Sequence, residues 1–177
     1  MTPGIGSTQP TGAVLPLPAR TAAGLWSTGR TSLEVVPLRH LVIEALGHHP
    51  TSDYGEQFWL PIVGPSSLWT YRRLAGRFTE EPRGYAVDLA TLSREIGLGT
   101  GTGRNSPIVR ALIRIVDFQL AEDIDDRLGV YTSLPPLNRR QATRLPDHLA
   151  ARHQLMARRT GGEADRPIGG NAAEVGR

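Results

Sequence analysis

The chain contains no cysteine and no lysine. Without cysteine there is no disulfide framework, no thiol nucleophile and no cysteine zinc site. Without lysine, all 20 basic side chains are arginines, planar guanidiniums suited to bidentate contact with phosphate or guanine. Such one-sided usage fits a GC-rich bacterial genome. No apolar run approaches the roughly 20 residues that span a bilayer. The first residues lack a basic stretch followed by an apolar one, so no secretory signal is expected. A cytoplasmic protein without membrane association is the expectation.

A length of 177 residues allows one domain with tails. Residues 1–33 are rich in Gly, Pro, Ser and Thr and show no apolar period, so a disordered amino-terminal tail is expected. Residues 161–177, GGEADRPIGGNAAEVGR, carry the same expectation. The core must then lie in 34–160. The formal net charge is +3, and its basic part is concentrated. Residues 138–160 hold six arginines against one acid, Asp147.

Within the core region, residues 38–46 show a short helical pattern ended by Gly47. Asp53 suits the start of a helix through Phe58, Trp59 and Leu60 that closes at Gly64. Pro65 sits where proline opens a helix, and Leu68, Tyr71, Leu74, Ala75 and Phe78 recur at helical spacing. A turn at 81–84 leads into a minimal strand at 85–87. Asp88 caps a helix with Leu89, Leu92 and Ile96 facing inward and Gly97 at its end. Asn105 is a good N-cap for the next helix, whose stripe is Val109, Leu112, Ile113, Val116 and Leu120. Two short strands, 121–124 and 128–132, flank an Asp125-Asp126-Arg127 turn. Asn138 caps a further helix, which Pro146 and Asp147 break and restart.

Between two of these helices lies GLGTGTGRNSP, with glycine at 97, 99, 101 and 103. A Walker loop needs Gly-Lys and then Ser or Thr, and follows a strand. Here there is no lysine and the glycines follow a helix. The dinucleotide spacing fails as well, because the third glycine would fall on Thr102 or Arg104. No nucleotide or other cofactor is expected. The stretch is a turn between helices, longer than the usual three or four residues.

The order of elements resembles a winged helix-turn-helix domain over residues 65–137. DLATLSREIGL stands for the first helix of the motif, GTGRNSPIVRALIRIVDFQL for the second and AEDIDDRLGVYTSL for the wing. Residues 58–75, FWLPIVGPSSLWTYRRLA, are also similar to the opening of the winged-helix domain of DnaD/DnaB-type primosomal replication-initiation proteins. The resemblance implies a mainly α fold with a small β-hairpin, a winged helix-turn-helix with extra flanking helices. It also implies that the helix after the glycines enters the DNA major groove.

The expected DNA-binding residues are Arg104, Asn105, Ser106, Arg110 and Arg114, with Arg139, Arg140 and Arg144 from the basic segment. Asn105 suits adenine and Arg110 guanine, while arginines on flanking segments hold phosphates. The competing structural account is a helix cap and a solvated face, with Arg114 paired to Asp117. Arg152, Arg158 and Arg159 extend the basic segment, either as phosphate clamps or as a soluble surface or dimer helix. The hairpin is discordant. Glu122, Asp123, Asp125 and Asp126 surround Arg127, and a wing on DNA should be basic. It therefore points away from DNA or meets a protein.

Other constellations fall short of chemistry. His40, Glu44 and His48 share a helical spacing, yet Gly47 ends the helix before His48 and no HExxH is present. Ser66 and Ser67 lack a GxSxG elbow and read as a helix start. Trp59 and Trp69 are expected in the core, and Leu145, Leu149 and Leu155 as packing residues. No catalytic or metal residue is assigned. The expected partner is double-stranded DNA, with a homodimer or a protein partner at the acidic hairpin as further options. The competing function is a winged helix that binds protein, in replication initiation or another assembly.

Overall fold

The computed structural model describes residues 30–163, with side chains through residue 158. The remainder of both expected tails, and the Arg159 side chain, lie outside the described residues. Strand β1 (Ser32–Leu38) comes first, then helix α1 (Leu41–Leu46). A helix opening at Asp53 runs with π pitch over Gly55–Trp59 and with α pitch over α2 (Leu60–Val63). The change of pitch falls just before Pro61, which has no N–H to give an α-turn. Helix α3 (Pro65–Gly76) follows Gly64, whose φ of 80° suits glycine. Then come β2 (Tyr85–Asp88), α4 (Leu89–Glu95), α5 (Pro107–Asp117), the hairpin β3 (Ala121–Ile124) and β4 (Arg127–Tyr131), and finally α6 (Arg139–Ala142) and α7 (Asp147–Glu163).

The fold is thus α/β among the described residues, with a four-stranded mixed sheet in place of an isolated hairpin. The strand order is β2-β1-β4-β3. Strand β1 pairs antiparallel with β2 and parallel with β4. It was not expected, and two corrections follow. Ser32 and Leu33, placed in the tail, begin the strand, and Leu33 is only 1% exposed. Leu38, placed at a helix start, ends it, and α1 begins at Leu41 after the N-cap His40. Pro37 fits a central strand because β2 has already ended opposite Val35, so its missing N–H faces no β2 residue.

Period-two alternation puts Leu33 and Val35 of β1, Tyr85 and Val87 of β2, and Leu128 and Val130 of β4 into the core. Helices α3 and α5 pack against each other over it, and α3 also touches β4. The buried tyrosines keep their hydroxyls satisfied. Tyr71 donates to the Tyr131 carbonyl at 3.0 Å and Tyr85 to that of Leu74 at 2.7 Å. Trp59 is buried and donates from Nε1 to the Pro135 carbonyl. Trp69 is not a core residue: it is 56% exposed, with the Arg72 guanidinium over its ring. The helical stripe of α3 explains this. Leu68, Tyr71 and Leu74 take the inner face, and Pro65, Trp69 and Arg73 share the outer one. Arg72 itself is buried, donating to the Pro50 and Ser52 carbonyls and to Glu56.

Leu155 likewise leaves the packing set, at 61% exposed, whereas Leu145 is buried and Leu149 packs against the core. No helix among the described residues is long and apolar enough to cross a membrane.

Candidate nucleic-acid interface

The glycine-rich loop begins as a helix terminator. Gly97 has φ of 74°, its N–H donates to the Arg94 carbonyl and the Leu98 N–H donates to that of Ser93. This pair of bonds is a Schellman ending, which glycine favours because it accepts left-handed backbone. Gly99 is left-handed as well, at φ 81°, while Gly101 and Gly103 are not. Only the first half of the alternating glycines is therefore required by conformation.

Helix α5 starts one residue later than expected. Ser106, not Asn105, is its N-cap, accepting from the Val109 N–H, and Pro107 takes the first position. Asn105 is exposed in the preceding turn beside Arg104. The inner face of α5 is Ile108, Ala111, Leu112 and Ile115, with Val109 and Val116 flanking it. Ile113, assigned to the stripe, is only half-buried. The outer ridge presents Arg110, Arg114 and Asp117, and the backbone positions of the two arginines lie about 6 Å apart along the helix axis.

Those two arginines differ in their surroundings. The Arg110 side chain has no hydrogen-bond or ion-pair partner among the described residues. Arg114 is tethered: Nη2 donates to the Ile62 carbonyl at 2.7 Å, and its guanidinium lies over the Phe118 ring at 5.2 Å. The Arg114–Asp117 pair considered as an alternative is absent from the ion pairs of the described residues.

Phe118 joins this ridge to the basic segment. The Arg144 guanidinium also lies over its ring, at 5.2 Å. Gln141 Nε2 donates to the Phe118 carbonyl at 3.5 Å. Helix α6 is held locally by a capping box, in which Asn138 accepts from the Gln141 N–H and Gln141 from the Asn138 N–H, both at 2.9 Å. Buried Leu145 then anchors the chain before α7. Arg139 and Arg140 are exposed at the start of α6. Of the expected site residues, the fold brings Arg114 and Arg144 to one Phe118 ring and places Arg110 one turn away from Arg114. Arg104 and Asn105 lie in the turn before the other end of α5, whose first residue, Pro107, is about 16 Å along the axis from Phe118. Phe118 is not among the expected site residues, although its i, i+4 spacing from Arg114 signals the contact.

The hairpin differs from expectation in its charge balance. Its turn puts Asp125 and Asp126 at φ 47° and 69°, the double left-handed conformation that closes two-residue hairpins. Arg30 reaches that turn, pairing with the Asp126 carboxylate at 2.9 Å and donating to its carbonyl at 2.8 Å. Glu122 accepts from the Tyr131 hydroxyl. The burial of Tyr131 and the adjacent Glu122 together hold that phenol protonated well above the usual range. Arg30 thus sets a second cation against the hairpin, beside its own Arg127.

The His40, Glu44 and His48 trio disperses. His40 stands at the N-cap position of α1 without a side-chain capping bond, Glu44 faces Arg39 at 3.9 Å, and His48 stacks on Tyr54 with centroids 3.7 Å apart. Among the described residues no group of three or more His, Cys, Asp or Glu side chains is placed to hold a metal ion. Ser66 lends its carbonyl to Thr70, and Ser67 is buried. The chain matches no family model, no curated protein and no solved structure.

Proposed function

We propose that this protein binds duplex DNA through the outer ridge of α5 and the adjoining arginines of α6, and that it serves in transcriptional regulation. The observation that carries the proposal is the set of exposed arginines Arg110, Arg114 and Arg144, none of them ion-paired among the described residues, running from α5 to the turn after α6. Helix α3, strand β2, helices α4 and α5 and the β3–β4 hairpin follow one another in winged helix-turn-helix order. Strand β1 departs from the simplest form of that pattern, since it lies between β2 and the hairpin. In this account Arg110 reads a base edge, Arg139 and Arg140 hold backbone phosphates, and Arg104 with Asn105 meets a phosphate near the α5 amino terminus.

Amide chemical shifts of the full chain, followed during titration with a short duplex, test the placement. Residues 104–118 and 138–145 should move most. Shifts confined to the hairpin or α1 would refute it.

A second function, a protein-binding module in replication initiation or another assembly, has its own support. The β3 strand forms an outer sheet edge bearing Glu122 and Asp123, and α1 exposes Leu41, Val42 and Leu46. The same titration with no duplex response would favour it.

A further inference from the structure

Arginine side chains on protein surfaces are long and rotamer-rich, and binding must immobilise them. Two here are already held. Arg114 and Arg144 both lie over one Phe118 ring, each 5.2 Å from its centroid. Arg114 is fixed further by its bond to the Ile62 carbonyl. Neither arginine has a carboxylate among its ion-pair partners within the described residues. Two like charges gathered at one ring repel, and an anion that contacts both offsets that repulsion. A guanidinium carries five N–H donors, so the bond to Ile62 leaves Arg114 ample capacity for a phosphate. The outward surfaces of both residues are exposed.

We propose that Phe118 is a positioning residue that presets Arg114 and Arg144 as a paired clamp for the phosphodiester backbone. The inference rests on the DNA-binding function proposed above and assigns this part of the surface to backbone holding. Base reading is left to Arg110. Phe118 itself touches no nucleic acid. It acts by holding the two guanidiniums ready and by fixing α6 against α5 through the ring and its carbonyl.

The test is duplex affinity measured across a salt series for the full-length protein and its variants. The slope of affinity against salt counts neutralised phosphates, and the affinity at fixed salt reports how well the cations are placed. Phe118→Leu keeps both charges and loses the ring. It should weaken binding about tenfold, near 1.4 kcal/mol, with an unchanged slope. Phe118→Tyr should retain wild-type affinity. Arg144→Ala should weaken binding and reduce the slope by about one. The Phe118→Leu/Arg144→Ala double variant should lose less than the two single losses combined. If Phe118→Leu fails to fold, Arg144→Lys provides the same comparison, since it keeps the charge and loses the planar stack; it should bind more weakly at an unchanged slope. Wild-type affinity in Phe118→Leu or Arg144→Lys, or strict additivity in the double variant, overturns the clamp while leaving DNA binding intact. A wild-type protein that binds no duplex even at low salt overturns the underlying function and the clamp together.

Discussion

The Tyr54 hydroxyl lies 2.9 Å from His153 Nε2 and joins α7 to the helix that opens at Asp53. Tyr54 also accepts the Leu137 N–H at 2.9 Å, so its own proton is available for a neutral Nε2. Phe58 meets the same imidazole edge-on, and His48 stacks on the other partner, Tyr54. The surroundings of His153 are thus a phenol, a phenyl ring and a second imidazole.

That setting fixes a pH dependence. Burial lowers the His153 pKa below the ordinary 6.5. Burial, then repulsion from His153, lowers that of His48. A depressed histidine pKa means that the unfolded chain binds more protons in this window, so stability rises with pH there. The contribution is present above about pH 6.5 and is lost as pH falls from there through the folded values. Urea midpoints should therefore fall between pH 7.5 and 5, and His153→Gln should flatten part of that fall. A midpoint that rises on acidification would contradict the cluster's neutral state. Asp88, held below the usual carboxylate value by its bonds to Thr91, responds in a lower window.

The glycine-rich loop gives a paired prediction. Gly97→Ala forces a side chain into left-handed backbone at the end of α4 and should cost about 1 kcal/mol. Gly101 has φ outside that region, and a Cβ there meets only Ser106 Cβ at 3.7 Å, an ordinary contact. Gly101→Ala should leave thermal stability unchanged. Equal losses at both sites would mean that the loop is constrained throughout its length.

Local signals were legible in the sequence wherever one residue controls one bond. Asp88 does accept from the Thr91 N–H, Pro65 and Pro107 do open helices, Gly97 does end one, and the two aspartates do turn the hairpin. Strand β1 was hidden because tail composition extends to the edge of its alternating Ser-Leu-Glu-Val segment, and because its two neighbours are remote in sequence. The N-cap moved from Asn105 to Ser106 because either residue can cap and the first helical proline selects the one beside it. The exposures of Trp69 and Leu155 depend on which helix faces find partners, which side-chain polarity alone does not specify. Half of the candidate interface was legible as arginines on the outer ridge of α5. The remainder, Phe118 gathering Arg114 and Arg144, depends on α6 returning to the end of α5, and local periodicity does not encode that contact.

The central claim is that the α5–α6 arginine surface binds duplex DNA. The most direct measurement is fluorescence anisotropy of the full chain with a labelled random duplex across a salt series, beside Arg110→Ala and Arg139→Ala. The account predicts micromolar binding that weakens steeply with salt, at a slope set by several phosphate contacts. Arg139→Ala should lower that slope by about one. Absence of binding at low salt, or binding that neither salt nor these substitutions alter, would contradict it.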